Sequence, residues 1–124
     1  MMGKTKWLKA ILQCLIELSD KEFQYRVWFN GENAPESSSF NELMCRLFDD
    51  YDFEKSIYFY DISNETKKNL IELGAILSLQ EEIDTKNKLD TEDWNEVIRK
   101  ALKSKEIVEN EILSLTNTKS NIKV

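Results

Sequence analysis

Carboxylates are the residues of this chain that come nearest to forming a chemical site, and they concentrate in LFDDYDFEKSIYFYD, residues 47–61. Asp50, Asp52 and Glu54 stand at positions 1, 3 and 5 of a possible EF-hand calcium loop, and Asp61 stands at position 12. Such a loop needs glycine at position 6 for its sharp turn and normally a bidentate glutamate at position 12. The segment has a lysine and a shorter aspartate there, so we predict that it holds no metal ion.

The rest of the sequence offers no candidate catalytic centre. It has no histidine, which removes the commonest general base, the Ser–His and Cys–His nucleophile pairs and most transition-metal sites. It also has no GxxxxGKS/T or GxGxxG loop to cradle a phosphate. Cys14 and Cys45 are too few for structural zinc, and we expect a reduced chain in which Cys14 packs as a small apolar residue. We therefore predict a protein that is not an enzyme and uses no cofactor.

Aromatic residues are interleaved with the acids of residues 47–61, which we call the acidic–aromatic segment. It contains five acids, one base and six of the 13 aromatic residues of the chain. Aromatic side chains supply stiff contact area in protein interfaces, and acids supply steering and charge pairing. We predict that a partner protein binds the following residues of this segment: Asp49, Asp50, Tyr51, Asp52, Glu54, Tyr58, Tyr60 and Asp61.

The apolar side chains of the same segment favour a second interpretation, in which it is a connector that plugs the core. The residues expected to point inward are Phe48, Phe53, Ile57 and Phe59. We expect both interpretations to hold, with Tyr58, Tyr60 and the acids pointing outward.

The excess of negative charge lies in one region of the chain. Residues 30–66 carry nine acids and two bases, a net charge of −7, whereas the remainder carries 14 acids and 15 bases, a net charge of +1. A local field of that sign repels nucleic acid and anionic lipid and attracts basic partners. A solvated acidic face that only keeps the chain dispersed is the alternative. We expect neither nucleic acid nor membrane as a partner, and no apolar run approaches the roughly 20 residues of a membrane span.

Hydrophobic periodicity predicts an all-α fold, a single compact domain of about five helices. They are placed at residues 5–18, 20–29, 40–49, within 61–82 and from about 90 onward, the last continuing bent or broken through residue 115. The acidic–aromatic segment forms a long connector between the third and fourth helices. Its SIYFY run is interpreted as an extended connector or a short helical turn, with a strand as the alternative.

Local signals place the helix starts and the domain boundary. SDKE and SFNE are typical of capping boxes, with Ser19 and Ser39 as the capping residues, and the fourth helix is capped at Ser63 or the next residue. Gly74 lies in the middle of that helix, which predicts a close helix–helix contact. We assign residues 1–115 to the helical domain and residues 116–124 to a polar C-terminal tail.

The segments LSDKEFQYRVW (18–28), LFDD (47–50), LGAIL (73–77) and DWNEVIRKA (93–101) give the chain a family resemblance. Together they resemble a family of short, uncharacterised bacterial proteins, over roughly residues 7–102. That family has no known catalytic residues, so none are carried over to this chain. As a small acidic chain it is also similar to the immunity proteins of contact-dependent growth inhibition systems.

The resemblance to immunity proteins implies a cytoplasmic protein that neutralises a bacterial toxin. The partner would be the C-terminal domain of a cognate toxin, a basic nuclease, and the acids of residues 30–66 would stand in for nucleic-acid phosphates. The free chain would be a monomer or a weak dimer. The alternative is a self-associating or regulatory helical module without a toxin partner, which would use the apolar side of the fifth helix and its extension.

Overall fold

The computed structural model describes the backbone of residues 3–29 and 39–121, with side chains up to residue 116. Within these ranges all regular structure is helical, which confirms the all-α fold class. The α-helices are α1 (Lys4–Leu18), α2 (Lys21–Phe23), α3 (Phe40–Cys45), α4 (Phe53–Phe59), α5 (Asn64–Ser78) and α6 (Glu92–Asn121).

Two of the helices continue with a wider turn. α2 runs on as the π-helical stretch Gln24–Phe29, and α3 runs on as Arg46–Asp50. With these extensions, α1, α2, α3, α5 and α6 correspond to the five predicted helices. The predicted connector is mostly helical, because α4 occupies its second half, so SIYFY forms a short helix rather than an extended chain. A 3-10 helix, Lys86–Asp90, leads into α6.

The core lies where α6 packs along both α1 and α5. Its buried side chains follow the spacing of three and four residues that a helix needs to present one apolar face. Trp7, Phe53 and Trp94 are the largest fully buried residues. The other buried apolar residues of α1, α5 and α6 are Leu8, Ile11, Cys14, Leu15, Leu18, Leu70, Leu73, Leu77, Val97, Ala101 and Val108.

The helix starts agree with the predicted caps except at α2. The hydroxyl of Ser39 accepts from the backbone N–H of Glu42 at 3.1 Å, and the hydroxyl of Ser63 accepts from that of Thr66 at 3.2 Å. The capping box assigned to Ser19 is wrong. α2 is capped one residue later, where an Asp20 carboxylate oxygen accepts from the N–H of Phe23 at 3.0 Å. Ser19 instead ends α1, where its backbone N–H donates to the backbone oxygen of Leu15 at 3.0 Å.

α6 runs unbroken from Glu92 to Asn121, so the break that we considered for the fifth helix is absent. Its 30 residues contain neither proline nor glycine, the usual causes of a sharp kink. Its helical backbone passes the boundary placed at residue 115 and ends at Asn121, and the assignment of a separate tail stays a prediction.

A buried glutamine joins α1, α2 and α6. Gln24 has no exposed surface, and its side-chain amide donates to the backbone oxygens of Glu17 at 2.9 Å and Leu18 at 3.0 Å. Its carbonyl oxygen accepts from the indole Nε1 of Trp94 at 2.9 Å. The side chain therefore satisfies orphan carbonyls at the end of α1 and fixes the position of α6 against it.

Candidate partner-binding surface

α4 sorts the acidic–aromatic segment into a buried face and a solvent face. Phe53, Ile57 and Tyr60 are spaced by four and three residues, and all three are buried. The Phe53 ring packs edge-to-face against Phe48, with ring centroids 5.7 Å apart. Phe53 also lies against Gly74 of α5, where an added Cβ would sit 3.2 Å from the ring. This close approach confirms the helix–helix contact predicted at Gly74.

The orientation predicted for two aromatic residues is wrong. Phe59 was expected to point inward and Tyr60 outward, but Phe59 is 63 % exposed and Tyr60 only 8 %. The error came from the alternation of a connector or strand, whereas the segment turns with the helical period of 3.6 residues. Tyr58 is 68 % exposed, as expected. Tyr58 and Phe59 are therefore the aromatic residues that α4 presents to solvent.

A row of packed aromatic rings connects Phe59 to the core. Trp7 lies 5.2 Å from Tyr60, and Tyr60 lies 5.1 Å from Phe59 in an edge-to-face arrangement, both measured between ring centroids. The indole Nε1 of Trp7 donates to the backbone oxygen of Tyr51 at 2.9 Å, and the hydroxyl of Ser56 donates to the same oxygen at 3.2 Å. These contacts hold α4 on the core and leave Tyr51 half-buried.

The acids predicted at this surface all point into solvent. Among the described residues no basic side chain forms an ion pair with any of them. One of them, Asp52, has a left-handed backbone (φ 47°, ψ 54°) and starts α4 without a side-chain capping bond. The exposed carboxylates belong to Asp49, Asp50, Asp52, Glu54 and Asp61.

A partly buried ion pair holds the start of the acidic–aromatic segment against α1. Arg46, the residue before it, donates to both carboxylate oxygens of Glu17, at 2.7 Å and 3.3 Å. The hydrogen bond to Glu17 raises the pKa of Arg46, so this guanidinium keeps its charge. Arg46 also lies 3.7 Å from the Cys14 sulfur. Burial raises the pKa of the Cys14 thiol, despite the opposing effect of Arg46, which confirms its predicted role as an apolar core residue.

A second polar cluster fixes the end of the segment. Lys4 donates to the backbone oxygen of Asp61 at 3.0 Å. Glu111 of α6 accepts from the backbone N–H of Ser63 at 3.1 Å and from the hydroxyl of Thr66 at 2.6 Å. Burial alone would raise the pKa of Glu111, but the hydrogen bonds from Thr66 and Ser63 outweigh it and hold that pKa below its usual value. Hydrogen bonds therefore tie the two ends of the segment to α1 and α6.

An open groove runs beside the exposed face of α4, between it and α5. Its volume is about 180 Å³. Glu54 and Tyr58 form the α4 wall, one helical turn apart, and Ile71 forms part of the α5 wall. The remaining lining residues are Phe53, Ile57, Leu70, Gly74, Ala75 and Ser78.

The groove and Phe59 are the parts of this surface that sequence reasoning missed. Reading residues 53–60 at the helical period would have placed Phe53, Ile57 and Tyr60 on one face and exposed Phe59. The α5 wall carried no such signal, because nothing in the sequence pairs Ile71 with α4.

Other types of site find no support in the described part of the chain. No group of three or more histidine, cysteine, aspartate or glutamate side chains is arranged to hold a metal ion there. The residues of the rejected EF-hand loop are instead divided between the end of the α3 extension and α4. No helix in the described ranges has the length and apolar character needed to cross a bilayer.

Comparison with known proteins gives no further guide to this surface. No protein-family model, no curated protein and no solved structure matches the chain. The resemblance to short bacterial proteins and to immunity proteins therefore stays a prediction, and the surface is interpreted from its own geometry.

Proposed function

We propose that this chain is a protein-binding module that captures a basic protein on one face. That face, the acidic–aromatic surface, consists of Asp49, Asp50, Asp52, Glu54, Tyr58, Phe59 and Asp61. The observation that carries the proposal is the combination of exposed carboxylates without ion-pair partners in the described chain and two aromatic rings more than 60 % exposed.

The two kinds of side chain act at different stages of binding. The carboxylates create a local negative field, which raises the rate at which a basic partner arrives. Tyr58 and Phe59 then exclude water from the contact and slow dissociation, because exposed aromatic anchors contribute most of the binding free energy in many interfaces. The anchored segment loses little conformational entropy on binding, since its backbone is already helical.

The family resemblance supports a more specific form of this proposal. As an immunity protein, the chain would bind the C-terminal domain of a cognate toxin and neutralise it inside the producing cell. A basic nuclease domain is the partner that fits best, because its active site is built to receive phosphates and would receive the carboxylates in their place. Such a mechanism requires no catalytic group in this chain.

Charge argues against self-association through the same face. Two copies meeting there would bring their carboxylates together, and like charges in an interface cost several kcal/mol. The apolar residues exposed on α6, Leu102 and Leu113, share a helical face but are separated on it by Glu106 and Glu109. Sedimentation of the free chain tests this, because a tight dimer that hides Tyr58 would replace the proposal with the self-associating module.

Binding to the protein encoded directly upstream of this chain's gene tests the proposal. Asp50→Lys with Glu54→Lys should reduce the association rate by at least about tenfold at low salt, because the steering field is lost. Glu106→Lys with Glu109→Lys is the matched control, with the same change in net charge on exposed residues of α6.

The two double variants give opposite expectations. The control should associate within about twofold of the wild type, and co-expression of the wild-type chain should restore growth of cells that express the upstream protein. Equal loss in both variants would mean that only total charge matters. Failure of the chain to bind the upstream protein would remove the toxin-neutralising form of the proposal.

A further inference from the structure

We infer that the groove between α4 and α5 receives one bulky apolar side chain of the partner, flanked in the partner by lysine or arginine. The inference rests on the proposed function and names the chemistry that the same surface recognises. It follows from three properties of the groove: how it is kept open, how large it is and which charges surround it.

Small residues on α5 keep the groove open. Gly74, Ala75 and Ser78 lie on the side of α5 that faces α4, and longer side chains there would fill the space. Gly74 also allows the ring of Phe53 to approach the α5 backbone closely, with the ring 3.2 Å from the position of a Cβ. Phe53 and Leu70 are fully buried, so the floor of the groove is part of the packed core. A rigid floor preserves the shape of the groove when it is empty.

The size of the groove suits a single ring or branched aliphatic side chain. Its volume is about 180 Å³, and a protein cavity of about 150 Å³ accommodates benzene. Tyr58 and Ile71 rise on opposite sides of it, 68 % and 37 % exposed. An apolar side chain placed between them would cover both and remove their apolar surface from water.

The charge around the groove selects the residues that flank the apolar side chain. Glu54 is the charged residue among those that line the groove, and its carboxylate lies one turn before Tyr58. Asp50 and Asp52 precede it in the chain, exposed and without an ion-pair partner among the described residues. Lysine or arginine next to the inserted side chain would pair with these carboxylates, whereas an acidic neighbour would be repelled. A second copy of this chain would bring such acidic neighbours.

Short peptides test the inference directly on the full chain. The probes are acetyl-Lys-Lys-Phe-Lys-Lys-amide, its analogue with alanine in place of phenylalanine, and acetyl-Glu-Glu-Phe-Glu-Glu-amide. Binding is followed by the backbone amide shifts in ¹H–¹⁵N NMR spectra. The basic phenylalanine peptide should shift the amides of Gly74, Ala75 and Ser78, and should bind at least about fivefold more tightly than either of the other two peptides.

Two variants at one exposed position separate the groove from the charges. Ala75→Phe fills the groove and should weaken the basic phenylalanine peptide at least fivefold, whereas Ala75→Ser keeps the groove open and should leave its affinity within about twofold. Ser78→Phe is a second filling variant at an exposed position, used if Ala75→Phe lowers the melting temperature markedly.

The outcomes distinguish the inference from the proposal beneath it. The inference is overturned, and the proposed function stands, if both basic peptides bind equally, filling has no effect, and Asp50→Lys with Glu54→Lys weakens both. If binding of the basic peptides does not depend on Asp50 and Glu54, the acidic–aromatic surface itself is not the recognition site, and both fail. The inference is supported if the groove-filling variant Ala75→Phe weakens binding of the basic phenylalanine peptide and Ala75→Ser does not.

Discussion

Replacing Gln24 with alanine should destabilise the protein more than any change of similar size on its surface. The Gln24 side chain is fully buried and makes three hydrogen bonds, two as donor to the end of α1 and one as acceptor from Trp94. Its removal leaves the indole N–H of Trp94 unpaired in the core, which costs about 1–3 kcal/mol. The lost amide donors and the space left by the side chain add to that cost.

Together these terms predict a loss of about 3–5 kcal/mol of unfolding free energy for Gln24→Ala. For 124 residues at about 2.1 cal/mol/K each, the unfolding entropy is about 0.26 kcal/mol/K. A loss of 4 kcal/mol then lowers the melting temperature by about 15 °C. Thermal and urea denaturation, followed by circular dichroism, measure both quantities.

A double-mutant cycle separates the hydrogen bond from the packing. Trp94→Phe removes the indole N–H, so Gln24→Leu together with Trp94→Phe should cost less than the sum of the two single changes, by about 1–2 kcal/mol. Asn110→Ala, at an exposed position of α6, is the control and should change the stability by under about 0.5 kcal/mol. A melting temperature for Gln24→Ala within 3 °C of the wild type, about 0.8 kcal/mol by the same conversion, would refute this account of how α1 and α6 are joined.

Three further predictions follow from single contacts. The pKa of Glu111 is lowered in the folded state, so ionised Glu111 stabilises the fold above the unfolded pKa of about 4.3, and this stabilisation is lost as the pH falls. Glu111→Gln should therefore flatten the decline of the melting temperature at acidic pH. Parallel curves of melting temperature against pH for the two proteins would contradict this. The left-handed backbone of Asp52 should make Asp52→Val less stable than Asp52→Gly by about 1–2 kcal/mol in urea denaturation, and equal stabilities would count against the strained turn. Cys45 is exposed, whereas Cys14 is buried with a raised pKa, so a thiol reagent should modify Cys45 at once and Cys14 only on unfolding. The variants Cys45→Ser and Cys14→Ala each keep one thiol and allow the two rates to be measured separately. Equal rates would show that the core is open.

Much of the fold was accessible from the sequence because local signals agreed with the packing. The apolar spacing in α1, α5 and α6 and the caps at Ser39 and Ser63 depend on neighbouring residues only. The predicted start of α2 was wrong because Ser19 and Asp20 are adjacent and both can cap a helix. The choice between them depends on how the turn packs. The π-helical extensions of α2 and α3 also have no sequence signal of their own.

The candidate surface was accessible only in part. Composition identified the acids and Tyr58, because charge and exposure are properties of single residues. To assign Phe59 outward and Tyr60 inward, one must know that the segment is a helix. The strand propensity of the aromatic residues in SIYFY pointed away from a helix. The groove is formed by residues of α4 and α5 that are more than ten positions apart, so it exists only after the two helices pack.

The salt dependence of association with the upstream-encoded protein shows whether the acidic–aromatic surface receives the partner. Exposed charges are screened over roughly 10 Å at 0.1 M ionic strength, so a steered encounter slows as salt is added. For the wild-type chain, we expect an association rate that falls at least about tenfold between roughly 0.01 and 0.3 M salt, and a nearly flat dependence for Asp50→Lys with Glu54→Lys. The same slope in both proteins would contradict the claim that the acidic–aromatic surface receives the partner.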